Sequence, residues 1–221
     1  MEYHNIISAN FISRPNRFIA HVDIDGKDTV VHVKNTGRCR ELLLPGVRVY
    51  LEKAQNPERK TPYDLVAVEK DGRIINIDSQ APNIVVKEWL INQEEYDKVQ
   101  PEYKFGNSRI DFYMEKGDRR YLMEVKGCTL FRDGVGYFPD APTERGAKHL
   151  RELAVAIAEG YNTAVAFVIQ GEGITEVRPN EDTDPEFAKA FREAVNAGVK
   201  IIFFTCKVTS DELKITAQLT Q

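Results

Sequence analysis

Two acids and a lysine, Asp111, Glu124 and Lys126, stand close enough in the chain to share one site. The stretch from Ser108 to Lys126 reads as two strands joined at Gly117-Asp118, with glycine first as a type II′ turn prefers. That register pairs Asp111 with Glu124 and Arg109 with Lys126. Side chains alternate along a strand, so Asp111, Glu124 and Lys126 emerge on one face. Ile110, Phe112, Met123 and Val125 fall on the other, which reads as a core surface. Two carboxylates directly opposite, their Cβ atoms roughly 5 Å apart, repel unless positive charge sits between them. Lys126 could supply part of that charge and a divalent cation more. Magnesium or manganese suits such a pair, taking a few carboxylate oxygens and leaving room for water and phosphate. The ion would polarise a phosphoryl oxygen, and Lys126 would orient the attacking water or stabilise developing charge. The plainer reading also stands at this level: an exposed hairpin in which Asp111–Lys126 and Glu124–Arg109 are diagonal ion pairs.

The strands and helices around them follow from pattern and punctuation. Residues 102–209 alternate between strand and helix. Strands are expected at 102–106, 108–114, 120–128, 163–169 and 199–208, and a helix at about 84–92. A glycine-bearing loop, 127–139, leads into a helix starting near 140–143. On that helix Arg145, His149 and Glu152 fall at i, i+4, i+7, a polar stripe placed to hold phosphate, while Leu150, Leu153, Ala154 and Ile157 take the opposite face. The last helix is capped by Asp184, starts at Pro185 and ends at Gly198.

Residues 1–80 read differently. Strands are expected at 17–22, 29–34, 47–52, 65–69 and 74–78, separated by Asp25-Gly26, Pro45-Gly46, Asn56-Pro57 and Asp71-Gly72. Short strands without a long helix imply a small OB-like β-barrel. Asp23-x-Asp25-Gly26 is a hairpin turn rather than a calcium loop, because Lys34 stands where the loop needs its closing glutamate. Arg14, Arg17, Phe18, Lys34, Asn35 and Arg38 combine positive charge with an aromatic near strand ends, as a nucleic-acid-binding barrel would. A plain polar loop with Gly37 in a turn explains Asn35-Thr36-Gly37 equally well. The net charge of −4 weighs against a nucleic-acid binder, whose usual footprint is strongly basic, yet residues 11–60 hold ten Lys/Arg against six Asp/Glu. Three widely spaced cysteines, Cys39, Cys128 and Cys206, form no CxxC pair. With no signal sequence and no long apolar run, they point to a cytoplasmic protein away from membranes.

Ser108-Arg-Ile-Asp-Phe, Glu124-Val-Lys126, the run from Gly136 to Leu153, Asn35-Thr36-Gly37 and Arg17-Phe18 together closely resemble the sugar fermentation stimulation protein A family. The likeness covers essentially the whole chain. It implies an OB-type domain over 1–80 and, over 81–221, a mixed sheet with flanking helices similar to PD-(D/E)xK nucleases. On that motif Asp111, Glu124 and Lys126 become catalytic, with Ile110-Asp111 replacing its Pro-Asp. Glu88 matches a further acidic metal ligand on the first helix, and Lys148 or His149 a polar residue on the later one. The resemblance further implies DNA as partner and a role in regulating sugar metabolism. Three functions stay open: a metal-dependent nuclease, a non-catalytic DNA-binding regulator that retains the nuclease fold, and a protein-interaction module.

Overall fold

The computed structural model describes residues 1–220. The N-terminal sheet holds β1 (Ile6–Ser13), β2 (Ile19–Ile24), β3 (Lys27–Val33), β4 (Arg48–Lys53), β5 (Tyr63–Lys70) and β6 (Arg73–Asn76). Its order is β3-β2-β1-β4-β5-β6, and a parallel pairing of β3 with β5 closes five strands into an OB-like barrel. Val22, Val31, Val49, Leu51 and Leu65 fill the interior. The Asp25-Gly26 and Asp71-Gly72 turns have positive φ at both central residues, as a type I′ hairpin requires. β1 is absent from the expected strands because its pattern is weak. Of IISANFIS, only Ala9 and Phe11 turn inward to full burial.

The second region begins with α1 (Ala81–Asn92), followed by β7 (Lys98–Phe105), β8 (Ser108–Lys116) and β9 (Arg119–Cys128). The expected loop after β9 instead holds β10 (Leu130–Arg132) and β11 (Val135–Phe138), a hairpin turning at Asp133-Gly134 with φ of 50° and 79°. Then come α2 (Glu144–Ala158), β12 (Tyr161–Ile169), β13 (Val177–Pro179), α3 (Pro185–Ala197), β14 (Lys200–Val208) and β15 (Leu213–Thr220). The main sheet runs β15-β14-β12-β9-β8-β7, with β12 parallel to both β9 and β14. Helices α2 and α3 cover one face through Leu150, Leu153, Phe187 and Phe191, and α1 covers the other through Val85, Val86 and Leu90. Burial on both faces explains the unbroken apolar run of β12. Asp184, Pro185 and Gly198 (φ 102°) bound α3 as expected, and Thr143 caps α2 by accepting the Gly146 N–H.

The β8–β9 hairpin keeps the expected register from Lys116–Arg119 to Phe112–Met123, with Gly117 at φ 55° in the turn. Its faces differ from expectation at the site. Ile110 packs in the α2/α3 core while Phe112 packs in the α1 core, so β8 changes face at Asp111. Opposite on β7, Glu102 sits at φ 53° between the paired Pro101 and Tyr103. The Asp111 carboxylate then takes a bond that an interstrand ladder would give to backbone: Oδ2 accepts the Val125 N–H at 2.8 Å. All three cysteines are buried and unpaired, and among the described residues no helix is long and apolar enough to cross a membrane.

Candidate metal-dependent active site

The distortion of β8 places Asp111 in a cleft of about 490 Å³ with Glu124 and Lys126 of β9. Walls come from both regions: Asn35, Thr36 and Gly37 of the barrel, Pro82 and Asn83 of α1, and the 138–143 segment that leads into α2. Glu124 is 3% exposed. Its Oε1 accepts Lys126 Nζ at 2.6 Å and a short bond from His149 Nδ1, whereas its Oε2 is buried with no partner. Burial pushes the Glu124 pKa up, but Lys126 and His149 outweigh it and hold the carboxyl below its usual range, so Glu124 is ionised. Asp111 goes the other way. Burial and then the Glu124 charge push its pKa up, only partly offset by the Val125 N–H, Lys126 and Asn83.

An ionised, buried oxygen without a donor carries a desolvation cost that a cation would remove. That is the chemical fit for a metal. The donors are two carboxylates, and among the described residues no group of three or more His, Cys, Asp or Glu could hold an ion by itself. Such a set suits a hard cation that completes its shell with water or phosphate, as magnesium and manganese do, and not a closed zinc site. The diagonal ion pairs of the plainer reading do not form. Glu124 pairs with Lys126 and His149 instead.

Several expected site residues are elsewhere. Glu88 is not in the cleft; its carboxylate binds the N-terminal ammonium at 2.8 Å, and its side chain is half-exposed. Asn83 reaches Asp111 instead, donating to Oδ1 at 2.9 Å. Five helical residues separate the two, a rotation of about 140°, so only one can face the site. His149, expected on a phosphate-binding stripe, is buried and cannot touch nucleic acid; it holds Glu124. Arg145 does line the cleft, with its Nε 3.4 Å from His149 Nε2.

In the barrel, Arg14 is a staple and not a free cation. Its guanidinium donates to the carbonyls of Arg17, Asn35, Gly37 and Arg38 at 2.6–2.9 Å. Lys34 is likewise committed, paired at 2.7 Å with fully buried Asp78. Asn35 braces its own loop, donating to Ile77 O and accepting the Gly37 N–H. Arg17, Phe18 and Arg38 are exposed.

Two residues of the site escaped the sequence reading. Asn83 sits in the first turn of α1, where an asparagine reads as punctuation. Asp140 lies in a loop, yet its Oδ2 accepts the N–H groups of Arg38 and Cys39 at 2.9 and 3.3 Å and so clamps the barrel to the cleft. Gly37 makes room for this approach, since a Cβ there would lie 2.8 Å from both Asp140 Oδ2 and Asn35 Oδ1.

Two family profiles match the chain: the SfsA N-terminal OB domain over residues 12–77 and the sugar fermentation stimulation protein RE domain over residues 80–212. A sugar fermentation stimulation protein homolog of Desulfitobacterium hafniense is 52% identical over 216 residues, spanning 97% of this chain and 95% of the relative. One from Clostridium beijerinckii is 48% identical over 218 residues, spanning 97% and 96%. The solved structure of Pyrococcus furiosus SfsA in complex with Ca2+ superposes with a TM-score of 0.86 at 27% identity, covering 99% of this chain and 96% of that one. The resemblance read from the sequence therefore holds, and the chain belongs to the sugar fermentation stimulation protein (SfsA) family.

Proposed function

We propose that this protein hydrolyses phosphodiester bonds of nucleic acid, DNA in particular, with Mg2+ or Mn2+ held by Asp111 and Glu124. The observation that carries the reading is Glu124 Oε2, a buried carboxylate oxygen without a donor. A pure binding surface has no use for paired acids that repel phosphate. The Ca2+ in the Pyrococcus furiosus relative supports a hard cation in this family.

Each residue has a role its surroundings allow. Asn83 and the Val125 N–H orient Asp111, whose oxygens keep further lone pairs for a ligand. His149 and Lys126 both bind Glu124 Oε1, which leaves Oε2 uncommitted for a cation. Lys126 brings a positive charge to the cleft where charge would build on a scissile phosphate. Arg145, exposed on α2 and without an ion pair among the described residues, can anchor a neighbouring phosphate. A bound cation would supply Lewis acidity and a water of lowered pKa.

The test has two readouts. Calorimetric titration with Mn2+ is expected to give binding to wild type that Asp111→Asn loses. In metal-free buffer at neutral pH Asp111→Asn should be at least as stable as wild type, because burial and Glu124 both disfavour the charge it removes. Labelled DNA and RNA of several forms, incubated with and without Mn2+, then report cleavage. Identical metal binding by the two proteins would sink the metal site. Metal and DNA binding without cleavage of any form would leave the non-catalytic regulator of sugar metabolism.

A further inference from the structure

Beside the cleft, the barrel carries a groove of about 730 Å³, lined by the end of β1, the β1–β2 connection and the loop from Thr36 to Pro45. Four arginines line it, Arg14, Arg17, Arg38 and Arg40, and no acidic side chain does. In a chain of net charge −4 this is a local inversion of sign. Arg14 is consumed in stapling the loops. Arg17, Arg38 and Arg40 are exposed and take part in no ion pair among the described residues. Between them the groove is apolar, with Ile12 (39% exposed), Leu43 and Pro45 on its walls.

The groove and the cleft share Thr36, Gly37, Ala141 and Pro142. The two depressions adjoin across this saddle, and together they outline a trough. Asp140 is tied across it to the Arg38 and Cys39 N–H groups, which also engage its negative charge. Gly37 leaves no space for a side chain there.

We propose that this trough carries one unpaired strand of nucleic acid, with its phosphates along Arg17, Arg38 and Arg40, over the saddle to Asp111 and Glu124. The substrate class is then single-stranded nucleic acid, or a duplex bearing a single-stranded arm. Its status as substrate rests on the hydrolytic reading above; the strand path as a binding surface does not. Three observations select an unpaired strand. The acids lie at the bottom of a cleft walled by both regions, with Glu124 almost wholly buried. A duplex presents its phosphates on a convex, stiff surface, which suits a walled cleft with a buried acid less well than a flexible chain does. An unpaired strand can bend over the saddle. The groove also alternates guanidinium with apolar surface, and Phe18, next to Arg17 in the chain, is 52% exposed. Arginine tracks phosphate while aromatic and apolar groups take the faces of bases, and those faces are free only in an unpaired strand.

Fluorescence anisotropy in EDTA, where metal-dependent cleavage cannot proceed, tests the path. The probes are a labelled oligothymidylate, a mixed-sequence single strand and the blunt duplex of that sequence. Single strands are expected to bind at least tenfold more tightly than the duplex. Arg38→Glu with Arg40→Glu should lower single-strand affinity at least tenfold and reduce the salt slope by about 1.4, two phosphate contacts at ~0.7 each. Lys200→Glu with Lys214→Glu, the same charge change on exposed positions of β14 and β15, should do neither. Arg38→Gln with Arg40→Gln, isolated as a folded protein by circular dichroism, should move affinity in the same direction if the reversed pair fails to fold. Equal or tighter binding of the blunt duplex, or single-strand binding indifferent to the arginine substitutions, overturns the trough. A tailed duplex with Mn2+ then separates the two claims. Cuts confined to the unpaired arm support both. Strand binding as described with no cleavage of any probe keeps the trough and overturns the hydrolytic reading alone.

Discussion

Asp78 and Glu124 are both buried acids in contact with a lysine, and they are completed in opposite ways. Asp78 sits at the end of the barrel, fully buried. Its Oδ2 receives Lys34 Nζ at 2.7 Å and the Tyr3 hydroxyl at 3.2 Å, and its Oδ1 the Gln80 N–H at 2.9 Å. Asn76 and Gln170 extend the network to the end of β12, just past which Gln170 Nε2 donates to Asn76 Oδ1 and to Asp78 O. Every Asp78 oxygen is satisfied by the protein. Glu124 has the same kind of lysine at 2.6 Å and a histidine besides, but both fall on one oxygen and the other has nothing. A buried acid whose shell is closed holds a structure together. Glu124, whose shell is left open, is where the proposed cation would bind.

That contrast can be broken most severely on the structural side. Lys34→Met removes the partner of a fully buried carboxylate and should cost about 3–5 kcal/mol, read by urea unfolding, while Mn2+ titration of the folded protein stays unchanged. A cost under about 1 kcal/mol would place Asp78 in the weak class of screened pairs. On the open side, Lys126→Ala should slow single-turnover cleavage by on the order of 10²-fold, the scale of losing one transition-state donor, or about 2.7 kcal/mol. Nucleic-acid affinity should fall far less. Lys126→Arg is not expected to rescue the rate, since a planar guanidinium cannot take the place of a compact ammonium. Undiminished cleavage by Lys126→Ala would move the chemistry elsewhere.

Smaller effects sharpen the boundary between the two regions. Gly37→Ala sets a Cβ 2.8 Å from the Asp140 carboxylate oxygen and the Asn35 amide oxygen, so both must give way. It should cost about 1–3 kcal/mol, the range for overpacking, and loosen single-strand binding by disturbing the saddle. A thermal midpoint equal to wild type would show that the clamp yields freely. The mildest case is Asp64, an acid closed by Arg59 and His32. Burial alone would raise its pKa, but Arg59 and then His32 outweigh it and hold the carboxyl below its usual range. A depressed folded pKa gives stability that is fully present above the ordinary aspartate value of about 3.9 and is lost as pH falls through the folded value. Wild type should therefore exceed Asp64→Asn in thermal stability at neutral pH, and the difference should vanish in strong acid. A difference that persists unchanged in acid would assign it to packing.

How much of this was legible beforehand depends on how local the cause is. The Gly117-Asp118 turn and the alternation beside it were enough to set the register of β8 with β9 as far as Phe112–Met123, but not the change of face at Asp111, which depends on β7. Asp184, Pro185 and Gly198 marked α3 because caps act within a turn of the residues they serve. β1, β13 and β15 were missed because short or weakly alternating strands acquire their identity from neighbours. β15, for instance, is recognised only by pairing along β14.

Local sequence alone brings Asp111, Glu124 and Lys126 together on one hairpin, since all three lie on two strands joined by one tight turn. It also determined an N-terminal barrel followed by an α/β sheet. What these residues bond to there depends on tertiary packing. Asn83 replaces Glu88 beside Asp111 because of how α1 is turned against the sheet. Likewise, packing of α2 over β9 makes His149 a brace for Glu124, and closure of the barrel turns Lys34 into the partner of Asp78. A side chain's type states which bonds it can make. Which bonds it does make, and which oxygen is left without one, depends on contacts between segments distant in the chain, and no local pattern encodes those.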